Sequence, residues 1–147
     1  MGRVIHIETP TQLRNRHRRT IAEILRRLMG KPTLDIESRD MAATLVFLLR
    51  EIHEGVEQSA RAWEKRDYWM KAERFLREWE WAMEMAANIE DVIRHDALDL
   101  LPDLLAELFP YFADIQVKSM TRKPSEWQGN YGRLLAEPPG KSPWGTS

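Results

Sequence analysis

The side chains able to do chemistry fall into two groups. Carboxylates and imidazoles gather mid-chain, as Glu51, His53, Glu54 and Glu57, then Glu78, Glu80, Glu84, Glu90 and Asp91, with His95 after them. Helical di-iron sites place a Glu-x-x-His pair on each of two helices, so that both ligands face inward one turn apart. That spacing is absent, since His53 lies two positions after Glu51 and His95 lies five after Glu90. No metal or cofactor is expected from it. The second group is guanidinium: Arg14, Arg16, His17, Arg18 and Arg19, followed by Arg26 and Arg27. Arg supplies paired donors that match phosphate and carboxylate alike. On a helical wheel Arg14, His17 and Arg18 share the side of the apolar stripe, while Arg16, Arg19, Arg26 and Arg27 point away.

Two occupants could meet the first three. One is the phosphate backbone of RNA or DNA; the other is a set of carboxylates on a neighbouring helix. Residues 1–31 carry eight Lys or Arg against two Glu, and residues 90–114 carry seven acids against one Arg. The formal net charge of −1 hides this opposition. Nucleic-acid-binding domains usually show a net positive charge, so pairing within the chain is the leading expectation. Glu51 and Glu54 also form a Glu-x-x-Glu, and Asn88 to Asp91 loosely resembles the second half of the magnesium site in all-helical nucleotide pyrophosphatases. The resemblance covers four residues, with Asn88 standing where that family has a carboxylate. It implies a metal-dependent nucleotide hydrolase. Helical rise argues against it: in antiparallel helices joined near residue 65, Glu51 and Glu54 face residues 78–81, about two turns short of Asp91.

Aromatic residues form a third set. Trp81 lies opposite its helix's apolar stripe, beside Met70, as a candidate protein contact. Trp127, Tyr131 and Trp144 are interleaved with Arg122, Lys123, Arg133 and Lys141. Aromatics among basic residues can stack on bases or anchor in a protein groove, so Trp127, Tyr131, Arg133 and Trp144 join the candidate contacts. Glu90 falls in the middle of an apolar stripe, which predicts a fraying helix end there or a partner such as Arg94 or a second chain; a local end is the simpler of these.

The elements that must position these groups follow from periodicity and caps. Thr9-Pro10 opens helix 1 and Gly30 with Pro32 closes it, giving about 10–29 with Leu13, Ile21, Ile24, Leu25, Leu28 and Met29 inward. Ser38 caps a central helix 2, whose stripe is Met41, Leu45, Leu48, Leu49, Ile52, Val56 and Trp63. The charged stretch 64–67 marks a break before helix 3, with Tyr68, Ala72, Phe75, Leu76, Trp79, Met83, Ala86 and Ile93 on its stripe. Helix 4 carries Leu98, Leu101, Leu104, Leu105, Leu108, Phe109, Phe112 and Ile115 against Asp99, Asp103, Glu107 and Asp114. Pro102 and Pro110 should start it late, kink it, or both. Residues 3–8 alternate as a short extended arm that could add to a partner's sheet edge. The fold expected is all-α: an antiparallel four-helix bundle over 1–120, then an irregular Pro/Gly/Trp-rich docking tail over 121–147 with one turn near 133–136.

Composition narrows the function classes. The absence of Cys removes disulfides, thiolate metal sites and Cys nucleophiles. No apolar run approaches the ~20 residues that span a bilayer. The first residues lack the pattern of a secretory signal, so a cytoplasmic location with no membrane partner is expected. The function expected is a non-catalytic adaptor or small subunit, docking on another protein through the arm and the aromatic tail. The alternatives are an RNA- or DNA-binding subunit of a nucleoprotein complex, using the basic face of helix 1, and the metal-dependent hydrolase. A homo-oligomer is compatible with each.

Overall fold

The computed structural model describes residues 7–139. Most of the extended arm, and Trp144 with the end of the tail, lie outside that range. The described residues form helices and turns only. Helix α1 runs Pro10–Met29. Thr9 Oγ1 accepts the backbone N–H of Gln12 at 3.1 Å, and Gln12 Oε1 accepts that of Thr9 at 2.9 Å, so two donors that the first turn orphans are satisfied reciprocally. Ile21, Ile24, Leu25 and Leu28 are buried, whereas Leu13 and Met29, at its two ends, stay exposed.

Helix α2 spans Ile36–Glu64 and begins before Ser38. The cap is Asp35, whose carboxylate accepts the Ser38 N–H at 2.9 Å while Ser38 Oγ accepts the Asp35 N–H at 3.2 Å. Ser38 is thus the far half of a capping box. Met41, Leu45, Val46, Leu49, Ile52 and Val56 are all buried, and α2 packs against three other helices. Its apolar character almost all round in the first half is the cause. A turn at 65–68, with Asp67 at φ 63°, reverses the chain into α3, Trp69–Arg94. Buried Ala60, Ala72, Ala82 and Ala86 let α2 and α3 lie close along their length.

Segment 98–115 is not one long helix. A 3-10 turn over Leu98–Leu100 leads into α4, Leu101–Leu108, and another 3-10 turn covers Phe109–Phe112. Pro102 sits in the first turn of α4 and Pro110 just past its end, where each missing N–H does least harm. Leu101, Leu105, Leu108 and Phe112 still reach the core.

Between Thr121 and Pro139 the described chain is more ordered than its composition predicts. A 3-10 turn over Pro124–Glu126 and a left-handed Gly129 at φ 83° lead into α5, Asn130–Ala136, which lies on α2. A seven-residue helix is unstable alone. It is held by Trp127, 2% exposed, and Leu134, fully buried, both part of the main core. No helix among the described residues is long and apolar enough to cross a membrane.

Candidate functional site

The arginines of α1 lie along a seam between α1, α3 and the turn after α4. Arg18 Nη2 donates to Asp114 Oδ1 at 2.8 Å and to the Tyr111 carbonyl at 2.8 Å, and its guanidinium lies 5.5 Å from the Phe112 ring centre. Arg18 holds the Asp114 carboxyl below its ordinary range. Arg14 has no carboxylate. Its guanidinium lies 5.1 Å from the Phe75 ring centre and 5.4 Å from that of Trp79, so ring faces rather than an anion receive the charge. Burial and the nearby Arg18 lower the Arg14 pKa, and Arg14 Nη1 and Arg18 Nε have no hydrogen-bond acceptor among the described residues.

Of the remaining basic residues of α1, Arg16, His17, Arg19 and Arg27 are bonded within the chain too. Arg16 meets Glu8 at 3.1 Å, and Arg19 Nε donates to Glu23 at 2.9 Å while its Nη1 donates to the Gln116 carbonyl at 2.7 Å. His17 is buried and lies 2.9 Å from Glu51. Burial lowers its pKa more than Glu51, itself half exposed, raises it. A neutral ring whose Nε2–H donates to Glu51 satisfies both groups.

The aromatic candidates are engaged internally. Trp81 stacks on Tyr111 with centroids 3.9 Å apart and planes at 9°, with Trp79 on its other side at 5.7 Å. Its helix-wheel position opposite the stripe is occupied by the turn after α4. Trp127 is core. Tyr131 receives the Arg39 guanidinium 5.5 Å from its ring centre, and the Tyr131 N–H donates to Asp40 at 3.0 Å. Arg133 lies 5.3 Å from the Phe47 ring centre and donates to Asn130 Oδ1 at 2.9 Å. Trp144 lies outside the described residues.

No family model, curated protein or solved structure matches the chain.

Two buried carboxylates hold the tail, and only one was visible in the sequence. Glu90 is not at a frayed end, because α3 continues to Arg94. It accepts from Arg50 Nη2 and from Arg94 Nε, each at 2.6 Å; Arg50 also meets Glu137 at 3.0 Å and Arg94 Nη2 donates to the Leu134 carbonyl at 3.1 Å. Burial alone would raise the Glu90 pKa, but the two guanidiniums hold it below the ordinary value. Glu23, 1% exposed, accepts from Arg19 and from the backbone and hydroxyl of Thr121. Its pKa is lowered likewise, these donors outweighing burial. Glu23 lies between Ile21 and Ile24 of the α1 stripe, and nothing in the sequence tied it to Thr121.

Among the described residues no three His, Asp or Glu side chains gather as a metal set. Glu51 faces a small cavity of about 170 Å³ with His17 and Arg14, while Asn88 and Asp91 line a separate shallow groove with Leu100 and Asp103. The two halves of the loose magnesium-site resemblance do not meet.

Proposed function

We propose that the chain is a non-catalytic helical adaptor, or a small subunit of a larger assembly, working in the cytoplasm. The observation that carries this reading is the α2–α3 turn, where Tyr68, Trp69 and Met70 stand 55%, 60% and 77% exposed in consecutive positions. Trp, Tyr and Met are enriched where proteins meet, and burying such side chains against a partner is worth roughly 1.5–3 kcal/mol each. Of the candidate contacts on α1, Arg16, His17, Arg18 and Arg19 are, by contrast, bonded into the fold. Under this proposal the arm, residues 3–8, and the end of the tail carrying Trp144 add to the same docking. Thr9, capping α1, and Glu137, bonded to Arg50, give both ends fixed points of departure.

The reading of the chain as an RNA- or DNA-binding subunit has less support, because Arg16, Arg18 and Arg19 already meet Glu8, Asp114 and Glu23. Copurification with mass spectrometry, before and after nuclease, separates the two. A stoichiometric protein partner that survives nuclease and is lost in the double variant Trp69→Ser, Met70→Ser is the expected result. Nucleic acid as the sole copurifying species, judged from the absorbance ratio, would overturn it.

A further inference from the structure

We propose that the groove between the C-terminal half of α1 and the segment after α4 receives an acidic, amphipathic helical segment of a partner protein. This rests on the adaptor reading and names a second surface for it. The groove has a volume of about 470 Å³. Its floor and walls are apolar: Leu25, Met29, Phe109, Phe112, Ile115 and Val117. Met29 and Phe109 stand 48% and 46% exposed at the rim, so a partner would find apolar surface not yet buried.

Charge narrows the occupant. Among the described residues Arg26 is the one charged side chain lining this groove. Its neighbours Arg27 and Lys31 both bind Glu37, whereas Arg26 is exposed and has no carboxylate partner among the described residues. A second groove of about 400 Å³ shares Arg26, Gly30 and Val117 with the first and adds Arg27 and Lys31. Glu23 borders it too, but is buried and bonded to Arg19 and Thr121. The two grooves adjoin at Arg26, Gly30 and Val117, with Arg26 as the cation left without a carboxylate among the described residues. An amphipathic helix fits such a shape through apolar residues at i, i+3 or i+4 and i+7, and an acidic flank would answer Arg26.

The test uses the full chain and two synthetic helical peptides that share Leu at those positions and differ only in flanking Glu or Lys. Fluorescence anisotropy should show the Glu peptide binding at least tenfold more tightly than the Lys peptide. Arg26→Glu should reverse that preference, and Met29→Ser should weaken the Glu peptide. Both positions are exposed, and unchanged melting temperatures check that the variants fold. Equal affinities, binding of neither peptide, or a preference that survives Arg26→Glu would overturn the proposal. So would self-association in sedimentation that Arg26→Glu abolishes, since the occupant would then be a second copy. A copurified partner with peptides indifferent to Arg26 sinks the groove and leaves the adaptor reading standing; the reverse pattern sinks the adaptor reading alone.

Discussion

Glu90 joins α2, α3 and the tail through two arginines, and its burial makes those bonds matter. Removing one partner of a buried ion pair typically costs about 3–5 kcal/mol, because the other charge is left without compensation. Glu90→Ala should therefore destabilise by that order in chemical denaturation, with Arg50 and Arg94 then repelling each other. A change under about 1 kcal/mol would mean that the network contributes little. Arg14 makes a different demand, since its charge rests on ring faces. Lys lacks the planar guanidinium, so Arg14→Lys should lower stability by about 0.5–2 kcal/mol even though the charge is kept. The pH dependence follows from direction alone. Glu23 and Glu90 have folded pKa values below the ordinary 4.5, so their contribution is present above that value and is lost as pH falls through the lower folded values. His17 is held neutral below its ordinary 6.5, so the unfolded chain takes up that proton first and stability begins to fall below about pH 6.5. Melting temperatures from pH 7.5 to 3 should decline in two stages, and His17→Gln should remove the upper one.

The helices were legible wherever period and caps agreed, and less so where partners in space decided. Thr9, Pro10 and Gly30 mark α1, and the charged stretch at 64–67 marks the reversal between α2 and α3. Ser38 misled because both halves of a capping box look like caps, and only the N–H of Asp35 meeting Ser38 Oγ tells which is first. The tail misled for a stronger reason. Pro, Gly and Trp predict irregular chain, yet burial of Trp127 and Leu134 orders α5 against α2, and Asn130 Nδ2 donates to Thr44 Oγ1 at 2.8 Å. Pairings across some 86 to 102 residues carry no local signal. Trp127→Ala should cost about 3–5 kcal/mol as the cavity it leaves fills only partly. A tail free to dock elsewhere would show no loss in calorimetry.

Across the whole molecule, a single ion pair among the described residues joins the basic segment 1–31 to the acidic segment 90–114. Arg18 of the basic segment meets Asp114 of the acidic one, and both Arg50 and Arg94 converge on Glu90. The Arg18–Asp114 pair could be suspected from segment charges; that Arg14 would take aromatic faces instead of a carboxylate could not, because Phe75 and Trp79 lie more than 60 residues further along the chain. We propose that these arginines serve the fold and that the protein meets other proteins rather than nucleic acid. The most direct measurement is a titration of nuclease-treated protein against mixed RNA and DNA pools at low salt, with Arg14→Ala and Arg18→Ala melted alongside. Under this proposal negligible binding and earlier melting of both variants are expected. Tight binding at physiological salt, with a log–log salt slope that flattens by about one unit per lost Arg and melting temperatures that do not move, would contradict it.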